Sequence, residues 1–142
     1  MFTTMRAFAV GFAVAAPALL IGPAHAETSQ QEQWCQGEGG VPENVQVSAC
    51  TVLIQSGRYT GKDLAWAYYN RGVSQAQQNR CDLAILDFTA ALKADPSDAD
   101  SYWVRHLCKE QLGDVAGAEA DYKAAKKLKP NIEQRFDKSG RR

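Results

Sequence analysis

A period of 34 residues constrains this chain more than any other feature of its sequence. Ten identities recur at that spacing between residues 65 and 130, and Phe88 is matched by Tyr122 as a conservative change. The identical pairs are Ala65/Ala99, Tyr68/Tyr102, Arg71/Arg105, Gln77/Gln111, Ala84/Ala118, Asp87/Asp121, Ala90/Ala124, Ala91/Ala125, Lys93/Lys127 and Pro96/Pro130. Such a period is the length of one supersecondary unit that buries its apolar face by stacking on its neighbours. The sequence therefore predicts two copies of one unit, residues 63–96 and 97–130.

Helical signals fill the first copy. An apolar and aromatic run from Leu64 to Val73 follows Asp63, which predicts a helix over residues 63–78 with Asp63 as its cap. Asn79-Arg80 predicts a turn, and Asp82 is the expected cap of a second helix. That helix should end at Asp95-Pro96, because proline disfavours helical geometry in the residue before it.

The second copy repeats this layout. Ser97 or Asp98 should cap a helix to about residue 112, Gly113-Asp114 should turn the chain, and a further helix should end near residue 128. Small residues recur seven apart on the second helix of each copy and are expected to pack helices closely: Ala84, Ala91, Ala118 and Ala125. His106, at the place of Gly72, is expected to be a structural histidine.

A 34-residue unit of two helices with an opening aromatic residue, two small residues and a closing proline resembles the tetratricopeptide repeat. Upstream, residues 47–54 can be laid on residues 85–92 with an offset of 38, which puts Cys50 at the place of Phe88 in a degenerate unit. Together with Trp34-Cys35 and the Tyr68–Gly72 segment, this pattern is similar to small exported tetratricopeptide-repeat proteins of Gram-negative bacteria. The resemblance implies an all-α, right-handed stack of antiparallel helical hairpins. Residues 27–62 would hold the degenerate helix, and residues 131–142 a capping helix and tail.

In that family the first helix of each hairpin lines a concave surface that receives a peptide or protein. The resemblance thus implies eight partner-binding residues: Trp66, Tyr69, Asn70, Val73, Trp103, Leu107, Glu110 and Gln111. The alternative is that Trp66 and Trp103 cover a small core. Tyr69 and Val73 stand where members that grip a C-terminal carboxylate have Lys and Asn, so that recognition mode is not expected.

The first 26 residues have the pattern of a secretory signal peptide. Arg6 is followed by an uncharged run over residues 7–21, and Ala24-His25-Ala26 is a small-x-small cleavage signal. The run is shorter than the ~20 residues that a bilayer-spanning helix needs. We therefore expect cleavage after Ala26, a periplasmic or secreted product, and no membrane span after cleavage.

Charge gives no reason to expect nucleic-acid binding. The chain has 16 basic and 16 acidic residues, and removing Arg6 with the signal peptide leaves 15 and 16. The one local basic stripe is interpreted as a solvated face of the last helix, where positive charges are favourable because they lie near the C-terminal end of the helix dipole. It consists of Lys123, Lys126, Lys127 and Lys129.

Four cysteines allow three pairings, and sequence alone does not choose among them. In an antiparallel stack, the start of the first repeat's second helix, with Cys81, lies near the end of the next repeat's first helix, with Cys108. Cys35 and Cys50 would then form the other disulfide. A metal site is the rival interpretation, but C-x-x-C and H-x-x-x-H spacings are absent from the sequence. No cofactor is expected.

Two charged pairs share a separation of 16, Arg71 with Asp87 and Arg105 with Asp121. With one member on each helix of a hairpin, ion pairs within or between hairpins are expected.

The sequence lacks the motifs of an enzyme, and its two histidines, His25 and His106, leave no evident general base. We expect a non-catalytic module, a monomer or weak homo-oligomer, that binds an unidentified protein or peptide. The alternative is a self-associating structural subunit of an envelope assembly.

Overall fold

A computed structural model describes residues 23–136, and within that range the secondary structure is entirely helical. Six α-helices are followed by a single 3-10 turn, Ile132–Arg135: α1 (Pro23–Cys35), α2 (Glu43–Gln55), α3 (Lys62–Gln77), α4 (Cys81–Ala94), α5 (Ala99–Leu112) and α6 (Val115–Leu128). The predicted all-α class is confirmed. The predicted signal peptide lies outside the described residues except for positions 23–26, which begin α1, and the tail beyond Phe136 also lies outside them.

Short connections fold the chain into helical hairpins. Three residues join α3 to α4, and Asn79 among them has a left-handed backbone with φ of 59°. Two residues join α5 to α6, and Gly113 has φ of 82°, a conformation that glycine adopts without a steric penalty. Because these connections are so short, the helices that they join pack side by side in opposite directions.

Each helix packs against the next one in the chain, which gives a repeat-like arrangement of adjacent helices. In addition, α3 contacts both α1 and α5, so these three helices form one layer with α3 at its centre. None of the described helices combines the length and the apolar character needed to cross a membrane.

One of the three predicted helix caps, Asp98, is correct, and Asp114 is a further cap that was not predicted. The side chain of Asp98 accepts a hydrogen bond from the backbone N of Asp100, and Asp114 accepts one from Gly117 N. The predictions for Asp63 and Asp82 are wrong, because the N-caps of these two helices lie two residues earlier, at Gly61 and Arg80. Both carboxylates lie within the first turn instead, where negative charge is favoured by the helix dipole.

The two predicted Arg–Asp pairs are confirmed, and each is bidentate. Arg71 donates to Asp87 from Nε at 2.8 Å and from Nη2 at 2.7 Å. Arg105 donates to Asp121 in the same way, at 2.7 and 2.6 Å. Each pair joins the two helices of one hairpin, and two parallel bonds fix both the distance and the angle between them.

The remaining nitrogen of each guanidinium reaches the preceding hairpin. Arg71 Nη1 donates to Thr51 Oγ1 on α2 at 3.0 Å, and Arg105 Nη1 donates to Thr89 Oγ1 on α4 at 2.9 Å. Thr51 and Thr89 are 38 residues apart and play the same role, so the predicted alignment of the degenerate unit is supported by contacts. We call each group an Arg–Asp–Thr junction.

The N-terminal unit is a helical hairpin of its own. The predicted disulfide between Cys35 and Cys50 is present and joins α1 to α2. Both cysteines are buried in a small apolar cluster with Leu53 and Ala67. The sequence predicted the second helix of this unit but not α1.

At the other end, the described part of the predicted capping helix, residues 131–136, forms a 3-10 turn. It is held to the last hairpin by the buried Ile132, by an ion pair between Lys126 and Glu133 at 2.8 Å, and by Phe136 stacked on Trp103. This single turn covers part of the last hairpin. Each preceding hairpin is instead covered by a whole helix of the hairpin that follows it.

The Asp121 junction should make folding stability depend on acidic pH. Burial disfavours the ionised carboxylate most strongly, but hydrogen bonds from Arg105 and Lys109 outweigh it and hold the pKa of Asp121 below its usual value. Its contribution is therefore present above about pH 4 and lost as the pH falls through the lowered pKa. In urea unfolding, Asp121→Asn should lower stability at pH 7 by roughly 3 kcal/mol and flatten the loss of stability below pH 4.

Asp82→Asn is the matched control, because Asp82 is exposed on α4. An equal effect of both substitutions at pH 7, or an unchanged acid limb in Asp121→Asn, would contradict this role of Asp121.

Candidate functional site

The eight predicted partner-binding residues all lie on α3 and α5, the neighbouring helices of the layer that also contains α1. The structure places them in three different environments: a partly exposed strip on α3, two buried aromatic residues, and the lining of a cleft.

The strip on α3 is formed by Trp66, Asn70 and Val73, which are all partly buried. Trp66 packs edge-on against Tyr59 from the α2–α3 loop, with ring centroids 5.8 Å apart. Val73 packs against the main core. Asn70 offers an amide on this surface, a group that can both donate to and accept from a peptide backbone.

Tyr69 and Trp103 are buried, each with 8% of its surface exposed. The Tyr69 ring packs on Phe88, and Trp103 lies among His106, Tyr122 and Phe136, with centroids 5.4 to 6.3 Å apart. Both residues belong to the main hydrophobic cluster. They therefore shape the surface from beneath and offer little area for direct contact, as the core interpretation of Trp103 anticipated.

The remaining three predicted residues, Leu107, Glu110 and Gln111, line a cleft of about 420 Å³ between the two hairpins. Ala76, Cys81, Val104 and Cys108 complete its lining. We call it the thiol cleft. It has apolar and thiol groups on its inner walls and an exposed carboxylate and amide at its rim, which is a common arrangement for a binding pocket.

Cys81 and Cys108 are neighbours, as predicted, but they are not joined by a disulfide. They are free, buried thiols with their Sγ atoms 2.6 Å apart, and Cys81 donates to Gln111 Oε1 at 3.3 Å. Burial, reinforced by the neighbouring Cys81 thiol, raises the pKa of Cys108. The thiolate that attacks a disulfide is therefore disfavoured at Cys108.

Several polar groups near the end of α3 could not be predicted from the sequence. Ser74 Oγ, Gln75 Oε1 and Gln78 Nε2 are buried and have no hydrogen-bond partner among the described residues. Buried polar atoms are normally paired, so these three mark a part of α3 beside the cleft residue Ala76 where the interior is not fully satisfied.

His106 is packed, as expected for a structural histidine. It is 8% exposed, and its Nδ1 lies 3.1 Å from the carbonyl oxygen of Ala118, which can only accept, so Nδ1 carries the proton. Within residues 28–136, histidine, cysteine and carboxylate side chains form no cluster of three or more that could hold a metal ion.

No known protein-family model matches the chain.

The thiol pair should be oxidisable in place. With oxidised glutathione, Cys81 and Cys108 should form a disulfide while glutathione disulfide takes up the two electrons and two protons and leaves as two thiols. Alkylation in denaturant followed by intact-mass analysis should count two modified cysteines before oxidation and none after it.

Cys108→Ser is the control for that experiment, because it leaves Cys81 without its neighbour. Two alkylated cysteines that persist after oxidation of the unsubstituted chain would rule the pairing out.

Proposed function

We propose that this chain is a non-catalytic protein–protein interaction module made of a short stack of tetratricopeptide repeats. It binds a peptide or protein on the face that α3 and α5 share. The 34-residue sequence period, the helical hairpins and the two Arg–Asp–Thr junctions support this assignment, since each is a feature that repeats from one unit to the next.

The observation that carries the proposal is the thiol cleft. Three residues chosen as partner contacts from the sequence, Leu107, Glu110 and Gln111, meet around one cavity. Its volume of about 420 Å³ suits one large apolar side chain of a bound peptide, and the Gln111 amide can bond the peptide backbone beside that side chain.

The strip of Trp66, Asn70 and Val73 extends this surface along α3. Aromatic side chains contribute disproportionately to binding when a partner covers them. An extended peptide with an apolar anchor in the thiol cleft and a flanking segment along the strip would contact six of the eight predicted residues. Tyr69 and Trp103 would hold the surface in shape from the core.

A binding role fits the chemistry of the cleft better than a catalytic one. The candidate nucleophiles of the cleft are the Cys81 and Cys108 thiols, and the raised pKa of Cys108 keeps that thiol protonated. His106 is committed to Ala118 through Nδ1. Neither arrangement activates a nucleophile.

A periplasmic or secreted location is part of the proposal. The signal-peptide pattern of residues 1–26 supports it, and so does the Cys35–Cys50 disulfide, because structural disulfides persist in oxidising compartments.

A substitution at the cleft rim tests the function. Gln111→Arg adds a long cation to an exposed position and should block the cleft without disturbing the core. Crosslinked capture of the partner from envelope extract should fall by about tenfold or more, equivalent to ~1.4 kcal/mol.

Gln55→Arg is the matched control, because Gln55 is an exposed glutamine in the last turn of α2. Helicity by circular dichroism should be the same in both variants. Equal capture by Gln111→Arg and the unsubstituted chain would refute binding at the cleft.

A further inference from the structure

A second cavity, of about 510 Å³, lies on the other side of α5, at the end of the last hairpin. We call it the end pocket; it is lined by His106, Glu110, Val115, Ala118, Glu119 and Tyr122. Val115 is 73% exposed and Tyr122 39% exposed, so apolar groups of the pocket face solvent. The proposed peptide-binding face does not include it, although Glu110 borders both cavities.

The repeat identifies what kind of surface this is. Thirty-four residues before the six lining residues stand Gly72, Ala76, Cys81, Ala84, Ile85 and Phe88. In that hairpin the same face is closed: Cys81, Ala84 and Phe88 are buried. The helix that closes it is α5, whose Cys108 touches Cys81 and whose Val104 belongs to the same core cluster. The end pocket is thus the helix-receiving face of the last hairpin, and among residues 23–136 no α-helix lies on it.

We propose that the end pocket docks an amphipathic helix of a partner protein, one that carries a Lys or Arg toward Glu110. The helix presents small or branched apolar residues four apart to Val115 and Tyr122, as α5 presents Val104 and Cys108 to the preceding hairpin.

The charges of the pocket select this partner. Glu110 and Glu119 replace Ala76 and Ile85 of the closed face, so two carboxylates border a surface that is otherwise apolar and aromatic. The Glu110 side chain is 59% exposed and has one oxygen 3.6 Å from His106 Nε2, and Glu119 is paired with Lys123 at 2.6 Å. A cation of the incoming helix beside Glu110 would also lie near the Tyr122 ring, which attracts positive charge.

One position disfavours a further repeat helix of the same kind. Thr51 and Thr89 accept hydrogen bonds from Arg71 and Arg105 of the helix that follows. The residue that succeeds them at the end of the stack is Lys123, which cannot accept a hydrogen bond and repels a guanidinium. A second copy of α3 or α5 in repeat register is therefore disfavoured, and the partner helix carries an acidic or neutral residue there.

A face-to-face contact between two copies is also disfavoured. It would bring Glu110 and Glu119 toward the same carboxylates of the other copy, and like charges brought together oppose association.

A designed helix tests the proposal. The probe is a hydrocarbon-stapled peptide with the sequence of residues 99–112 and three substitutions. Those at Arg105 and Cys108 follow from the contacts of these residues with Thr89 and Cys81, and that at Gln111 follows from the cleft that it shares with Ala76, the residue equivalent to Glu110. Arg105→Glu would face Lys123, Cys108→Ala would face Val115, and Gln111→Lys would face Glu110. A control peptide keeps Arg105, carries Cys108→Ala and has Gln111→Glu.

With the isotope-labelled full chain, the probe should shift amide resonances of residues 115–122 and bind about tenfold or more tightly than the control peptide. Val115→Lys in the chain should weaken probe binding by at least about tenfold, because it buries an unpaired cation against the helix. Val52→Lys, at an exposed valine of α2, is the matched control and should bind like the unsubstituted chain. Gln111→Arg in the chain should still bind the probe, which separates this surface from the thiol cleft.

Four results would overturn the proposal. Equal binding of the two peptides, or shifts confined to other helices, would mean that the charges of the pocket do not select a helix. A concentration-dependent dimer in light scattering that Val115→Lys abolishes would make a second copy the occupant. Shifts at residues 115–122 on deleting residues 137–142, without any peptide, would make this chain's own end the occupant.

Discussion

The fold depends on a guanidinium that is shared between two hairpins. Arg71 and Arg105 each donate hydrogen bonds from two nitrogens to an aspartate of their own hairpin and from the third nitrogen to a threonine of the preceding hairpin. An apolar contact between smooth helices tolerates sliding, whereas a planar fork with three assigned acceptors does not. The pair thus sets the register inside a hairpin and between hairpins at the same time. Tyr68 and Tyr102 lie against the two guanidinium groups, 5.7 and 5.6 Å from ring centroid to Cζ, and shield them from water.

Features that repeat could be predicted from the sequence, and features that depend on one particular neighbour could not. The bounds of α3 to α6 lie within one or two residues of those predicted, since periodic apolar residues and Gly or Pro punctuation are local signals. The Arg–Asp pairs followed from their spacing, and the Cys35–Cys50 disulfide was the pair that remained once an antiparallel stack put Cys81 near Cys108. Helix α1 escaped prediction because its residues are mostly polar and its position depends on the disulfide and on contacts with α2. Tyr69 and Trp103 occupy surface positions of the repeat pattern, yet Phe88, Tyr122 and Phe136 bury them, and only the tertiary structure brings those rings together.

The same limit applies to the site. Leu107, Glu110 and Gln111 were predicted to be partner contacts, and they line one cleft. The two cysteines of that cleft were expected to form a disulfide but are free thiols, because sequence alone does not determine whether two neighbouring cysteines are bonded. The end pocket was not predicted, and Glu110 is the one residue of its lining that the sequence analysis named as a partner contact. The cavity is open within the described part of the chain because residues 131–136 form one 3-10 turn instead of a helix, and the length of a terminal element is poorly determined by local pattern. Helix α5 consequently has an open cavity on each side, and Glu110 stands between them.

Lys123 has a further consequence for the behaviour of the molecule in concentrated solution. A stack of identical units has two unlike ends, and if one end fitted the other, copies would add head to tail without limit and grow into a filament. A threonine at residue 123 would complete the acceptor that each Arg–Asp–Thr junction uses and would make the end of this stack a template for another unit. A lysine there, paired with Glu119, terminates the series with a charged pair. One side chain at the boundary of the repeat thereby favours a particle of finite size over an open-ended polymer.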